Sequence, residues 1–192
     1  MGKDAVAKQE FRSTRLTYED YLLFPDDGKR HEIIEGDHYM TPAPRRKHQR
    51  VSGRLFVALS GFTASRRLGE VYAAPFDVVL SDENVVQPDL LFLSAARAGI
   101  STEDNIQGAP DLIVEILSES SRKKDEVTKR KLYERFGVQE YWVVDPELEI
   151  VKIFRRAQQG YGRAIELSKE ANDVLTTDLL PGFRLALTEI FE

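Results

Sequence analysis

Asp111-Leu112-Ile113-Val114-Glu115-Ile116-Leu117, followed by a second apolar run at Tyr141-Trp142-Val143-Val144, decides the fold. Each run has the continuous apolar character of a strand buried on both faces. Between them a charged segment, about Arg122 to Phe136, carries Leu132, Tyr133 and Phe136 on one helical stripe and stops at Gly137. Strand, helix and strand in that order make a crossover unit. At least part of the sheet is therefore expected to be parallel and covered by helices. The fold class this predicts is α/β, a mixed sheet flanked by helices.

Working outward, Val51, Leu55, Leu59 and Phe62 recur at helical spacing and predict a helix from His48 to Leu68 that stops at Gly69. Two β-rich runs follow, Val71 to Leu80 and Val85 to Leu93, with a turn at Ser81-Asp82-Glu83-Asn84. Upstream, Thr17-Tyr18-Glu19-Asp20 has the pattern of a capped helix start, predicting a short helix to Phe24. His31 to Glu35 and His38 to Met40, joined by Gly36-Asp37, read as a strand, a tight turn and a strand. The Asp145-Pro146 turn closes the strand Tyr141 to Val144, and Ile150 to Phe154 and Arg163 to Leu167 read as a terminal hairpin. No repeat or low-complexity linker interrupts the chain. The organisation expected is a flexible leader over 1–16 and one domain over 17–192.

Composition excludes several chemistries. The 192 residues contain no cysteine, which removes disulfides, thiolate zinc sites and a cysteine nucleophile. Three histidines, His31, His38 and His48, show no HExxH-type pairing. No apolar run approaches the roughly 18 residues that span a bilayer, and no signal-peptide core follows Met1. A cytoplasmic protein without membrane contact is expected. The net charge of −5 argues against an avid nucleic-acid coat. It leaves room for an enzyme whose metal neutralises phosphate locally. Basic residues cluster at Arg45 to Arg50, Arg66-Arg67, Arg122 to Lys124 and Lys129 to Lys131, where solvated helix ends are the plainer use.

Three ionisable residues stand where a purely structural sequence would not place them. Glu115 breaks an apolar run, and strand alternation sets it on the face of Ile113 and Leu117. An unpaired carboxylate there costs several kcal/mol, so either a cation compensates or the side chain escapes to solvent or an arginine. Asp89 follows Pro88 at the head of Leu90-Leu91-Phe92-Leu93, as a turn aspartate also would. Lys129 lies on the apolar stripe at spacings of three, four and seven from Leu132, Tyr133 and Phe136. It either snorkels outward, pairs with Asp125 one turn earlier, or faces something negative. Together, two strand carboxylates and a helix lysine would make a hard, oxygen-rich site for Mg²⁺ or Mn²⁺ with a cation beside it. Phosphodiester hydrolysis by activated water needs that set.

Gln87-Pro88-Asp89-Leu90, then Ala109-Pro110-Asp111 through Glu115-Ile116-Leu117-Ser118, then Asp125-x3-Lys129-x3-Tyr133, then Gly137 through Pro146, resembles the Uma-two family. These are restriction-endonuclease-like proteins of the PD-(D/E)XK nuclease superfamily. His31-Glu32-Ile33-Ile34-Glu35-Gly36 and His48 are similar to its opening strand and helix-start histidine, so the likeness spans roughly Thr17 to Ile190. The resemblance implies a restriction-endonuclease-like core with extra β-hairpins and an endonuclease acting on DNA as a homodimer. It also implies metal ligation by Asp89, Glu115 and the Ile116 carbonyl. Glu32 would be the N-terminal acid serving a second metal or its water. The motif's third letter is Leu117 rather than lysine, and Lys129 on the next helix would fill that role. His48 would act as a general base or a substrate contact, or bond the backbone at its helix start. A nuclease-fold module that binds nucleic acid or a partner protein without catalysis is the competing reading.

Overall fold

The computed structural model describes residues 15–119 and 121–192. Most of the predicted leader lies outside the described residues. Its last member, Leu16, is tied down, its N–H bonding the Gly36 carbonyl at 3.0 Å. Thr17 then caps α1 (Tyr18–Tyr21) through the reciprocal bonds of a capping box with Asp20. This helix is three residues shorter than the sequence suggests, ending before Phe24.

Two sheets organise the chain. The smaller contains β1 (Arg30–Ile34), β2 (Asp37–Thr41), β4 (Asp77–Ser81), β5 (Asn84–Val86) and β7 (Asn105–Gln107), in the order β2-β1-β5-β4-β7. The larger contains β3 (Gly69–Ala73), β6 (Leu90–Ser94), β8 (Leu112–Ile116), β9 (Glu140–Asp145), β10 (Ile150–Ala157) and β11 (Gly160–Tyr161), ordered β11-β10-β9-β8-β6-β3. β12 (Ile165–Ser168) pairs with β10 to make the expected late hairpin. As the crossover requires, β8 and β9 are parallel, with Glu115 beside Val143.

The two long β-rich runs of the sequence are each divided between sheets. One breaks between β3 and β4 at Ala74-Pro75, the other between β5 and β6 at Gln87-Pro88-Asp89. Proline has no N–H to give a ladder, so each marks the place where the chain changes sheet. The second break lifts Asp89 to the head of β6, at the seam between the sheets.

Alternation along β8 separates two cores. Leu112, Val114 and Ile116 face α2 (Arg46–Arg66) and α4 (Leu187–Phe191), packing on Val51, Leu55, Leu59 and Phe191. Ile113 and Leu117 face the other way, onto Leu132 and Tyr133 of α3 (Arg130–Phe136) and onto Ile34 and Val86 of the smaller sheet. Trp142, Tyr133 and Tyr141 are fully buried. Each such side chain contributes about 1.5–3 kcal/mol. Several together therefore outweigh the cost of the few charges buried among them.

Helix ends follow local chemistry. α2 closes on a left-handed Arg67, φ 55°, so Gly69 opens β3 instead of stopping the helix. A Cβ at Gly69 would stand 2.1 Å from the Leu93 carbonyl oxygen, so only glycine fits there. α3 ends at a left-handed Gly137, as expected. Ahead of α3, residues Lys124–Lys129 form a π-helical turn, a departure from the regular helix that the sequence predicts.

At the end of β9, Asp145 fastens the following turn. It accepts from Arg122 Nη1 at 2.6 Å and from the N–H groups of Glu147 and Leu148 at 2.9 and 3.1 Å. Burial alone would raise its pKa, but Arg122 and those N–H groups outweigh burial and hold it below the ordinary 3.8. A depressed acid stabilises the fold above its unfolded pKa and loses that contribution as pH falls through the folded value. Asp145→Ala should cost about 2 kcal/mol at pH 7, the scale of a lost charge-assisted bond with its orphaned donors. Urea unfolding at a series of pH values should show the gap from wild type closing below pH 3.8.

Candidate active site

The register of β6 on β8 pairs Leu90 with Val114 and Leu91 with Ile113. One more step sets Asp89 beside Glu115. Neighbouring strands lie about 4.8 Å apart, so the two carboxylates are lateral neighbours on one face. Glu32 and Ile34 share a face of β1 by alternation, and Ile34 packs in the same core as Ile113 and Leu117. Three acids far apart in sequence are thereby brought to one seam.

Lys129 meets two of them from the helical side. Its Nζ stands 2.6 Å from Glu32 Oε1, 2.8 Å from Glu115 Oε1 and 3.8 Å from Asp125 Oδ1. At 3% exposure the ammonium does not snorkel to water. Burial works against its charge, but Glu115, Glu32 and Asp125 outweigh burial and raise its pKa. Tyr133, one turn on, donates to the same Glu115 oxygen at 2.7 Å. Lys124 reaches Glu32 Oε2 at 2.8 Å. Five residues separate Lys124 from Lys129; an α-helix would turn them about 140° apart. The π-turn brings both to Glu32.

Asp89 is held from three sides. Arg30 Nη1 donates to Oδ1 at 2.7 Å, while the Ile116 N–H and His48 Nε2 lie 2.8 and 3.1 Å from Oδ2. Burial would raise its pKa, but His48, Arg30 and the Ile116 N–H bring it down to about 2. Glu32 is likewise lowered to about 2, with Lys129 and Lys124 overcoming burial. Glu115 goes the other way, pushed up to about 8. Burial is the largest cause, and Asp125, Asp89 and Glu32 add to it beyond what Lys129 can offset.

Each predicted site residue can now be placed. Asp89, Glu115, Lys129, Ile116 and His48 all line one cavity of about 960 Å³. Glu32 lies behind it, 1% exposed, joined to the rest through Lys124 and Lys129. His48 bonds a carboxylate rather than the backbone of its helix start. Ile116 turns its side chain into the core and its N–H to Asp89. Two residues that the sequence reading left aside belong here, Arg30 and Lys124. Arg30 shares the alternation of Glu32 and Ile34, a signal that could have found it. Lys124 had no such signal, because α-helical spacing points it elsewhere.

The donor chemistry can be tested against a divalent ion. Among the described residues, no three acids or histidines are placed to hold a metal unaided. Glu32 is taken up by Lys124 and Lys129, while Asp89 and Glu115 are lateral neighbours on the cavity floor. The second Glu115 oxygen takes no hydrogen bond from any described residue, its bonds from Lys129 and Tyr133 both ending on Oε1. Four carboxylates also face only three permanent cations, Arg30, Lys124 and Lys129. One or two carboxylates, with water and substrate phosphate completing the shell, is how magnesium binds. The residues fit such an open site, and do not form a closed zinc-type cage.

A mixed sheet with paired acids at a seam and a helix lysine beside them is the arrangement of a nuclease-type α/β protein. The family model of Uma2, described as "Putative restriction endonuclease", matches residues 18–188, and the chain belongs to that family. A crystal structure from Anabaena variabilis ATCC 29413, described as "a putative nuclease belonging to DUF820", shares the fold with a TM-score of 0.78. It is 19% identical, over 92% of this chain and 97% of that one, a likeness that speaks for the fold alone. No curated protein matches the chain. No helix among the described residues is long and apolar enough to cross a membrane.

Removing Lys129 should expose how far the acids depend on it. Lys129→Met should cost about 3–5 kcal/mol, since it leaves buried carboxylates without their cation. Adding Glu115→Gln should return part of that loss. In a double-mutant cycle read by urea denaturation, additive costs would mean the pair is not coupled.

Proposed function

We propose that this chain is a metal-dependent nuclease that hydrolyses phosphodiester bonds, with DNA as its first candidate substrate. The observation that carries the reading is the placing of Asp89 and Glu115 side by side on a cavity floor, with Lys129 Nζ 2.8 Å from Glu115. Asp89, Glu115 and the Ile116 carbonyl would hold Mg²⁺ or Mn²⁺. Such an ion, when bound, supplies a Lewis acid for a phosphoryl oxygen and acidifies water.

The chain's own groups set the rest of the chemistry. Water oxygen bonds to phosphorus and gives up a proton as one ester P–O bond breaks, leaving a phosphate monoester and an alkoxide that takes up a proton to become the alcohol. Lys129 keeps Glu115 in place and sets a fixed positive charge where negative charge grows on the phosphoryl oxygens. Glu32 anchors that ammonium and, through Lys124, keeps a second cation on the cavity wall. His48 holds the far oxygen of Asp89, which leaves Oδ1 turned to its other partner. Arg45, Lys47 and Arg122 stand around the mouth, each paired with an acid, Glu119, Glu147 and Asp145. Flanking phosphates would take those cations in exchange. This gives an acidic protein a local basic rim.

A non-catalytic module is the second reading. It is favoured by the fact that Lys124 and Lys129 already neutralise Glu32. Manganese titration separates the two, since a binding module need take up no metal.

The test is cleavage of single- and double-stranded DNA and of RNA with Mg²⁺ or Mn²⁺. Asp89→Asn and Glu115→Gln should each lower the rate by about 10²–10³-fold, the scale of losing one electrostatic stabiliser. Chelation should abolish cleavage. His48→Gln should weaken manganese affinity by about 10- to 100-fold, as loss of a ligand's hydrogen-bond partner does. Equal cleavage by wild type and Asp89→Asn would assign the activity to a contaminant.

A further inference from the structure

Arg30 occupies an unusual place in this site. Its guanidinium donates to Asp89 Oδ1, the one carboxylate oxygen of that residue free of His48 and of the Ile116 N–H. The fields of Asp89, Glu115 and Glu32 all act on it. Among the described residues, Arg30 is therefore the cation nearest in role to a dication seated between Asp89 and Glu115. Lys124 pairs instead with Glu32 behind the cavity floor, and Lys129 is held between Glu32 and Glu115.

Arg30 also differs from Lys129 in freedom. Lys129 is 3% exposed and clamped between Glu32 and Glu115, whereas the Arg30 side chain is 18% exposed and lines the open cavity. Its long stem starts from β1, across the seam from Asp89, so the head group can leave the carboxylate without moving a strand. Guanidinium forks fit phosphate as well as carboxylate, which gives the released head group a second partner in the same cavity.

We propose that Arg30 is the exchangeable cation of the site: it neutralises Asp89 in the metal-free protein, yields Oδ1 to the incoming divalent ion, and turns to a substrate phosphate. The proposal rests on the nuclease reading and adds to it a substrate-contacting residue which that reading does not require. Arg30 would thus serve twice, stabilising the empty site and then recognising substrate. A guard of this kind weakens apparent metal affinity, because the ion must displace a cation already in place.

Calorimetric titration of Mn²⁺ into wild type, Arg30→Gln and Arg30→Lys tests it. Arg30→Gln should bind manganese about tenfold more tightly, the equivalent of one charge-assisted hydrogen bond no longer opposing the ion. Arg30→Lys, which keeps the positive charge, should bind as wild type does. The metal-free Arg30→Gln protein should unfold at lower urea than wild type, and its substrate KM should rise. Manganese affinity in Arg30→Gln equal to or weaker than wild type overturns the exchange while leaving the metal site intact.

A measurement on the unaltered protein makes the test independent of how the variants fold. NMR of the arginine side chains should show the Arg30 N–H groups losing their protection from solvent exchange as Mg²⁺ saturates the site. Protection retained at saturation overturns the proposal. No binding of either ion to any of the three proteins removes the metal site itself, and the exchange with it.

Discussion

A carboxylate in the middle of an apolar strand is the constraint on which this structure turns. Glu115 is 3% exposed and stands among Ile113, Leu117 and Tyr133. Leaving it there unpaired would cost several kcal/mol, comparable with the whole stability of a domain. The helix after β8 meets the demand with Lys129 and Tyr133 on the same oxygen. Lys129 then needs more negative charge than Glu115 alone supplies, since burial opposes its own ionisation. Glu32 comes from the other sheet to provide it. The pairing thus locks the smaller sheet, the larger sheet and the helix into one arrangement.

How much of this could be read from sequence depended on the range over which each feature is determined. The unit β8–α3–β9 was legible because hydrophobic period and a glycine stop are local properties. Glu115 and Lys129 were legible for a related reason, each interrupting an apolar pattern that its neighbours define. The family likeness independently pointed to the same residues and to the nuclease-type fold, which the solved neighbour shares.

What was not legible came from longer-range geometry. That Asp89 lies beside Glu115 depends on an antiparallel register between strands separated by a 3₁₀ turn (Ala95–Ile100) and by β7. The division of each long β run between two sheets was signalled only by Pro75 and Pro88, single residues in otherwise uniform stretches. Lys124 was hidden by a π-turn, because every stripe argument assumes 3.6 residues per turn. Arg30 was hidden because it precedes the strand predicted from His31, and only the earlier start of β1 puts it on the face of Glu32. The fold and Lys129 could thus be read from periodicity, while Lys124 and Arg30 could not.

The ion pairs also explain how such a site can exist before any ligand reaches it. Small zinc domains have unmatched ligands and fold only when the metal arrives. Here three buried acids of the site already have partners: Lys129 for Glu115, two lysines for Glu32, and Arg30, His48 and a main-chain N–H for Asp89. The core on both faces of β8 supplies the stability that holds these groups together. A carboxylate pair arranged this way faces the cavity in a fixed geometry, and little reorganisation remains when an ion or a phosphate enters. Preorganisation of that kind concentrates electrostatic work at the reacting centre. It also requires that the cations be of two sorts. Those that hold the acids in place must be buried and permanent, as Lys129 is. Those that stand in for a ligand must be able to leave, and the position of Arg30 at the open side of Asp89 divides the two roles between β1 and the π-turn.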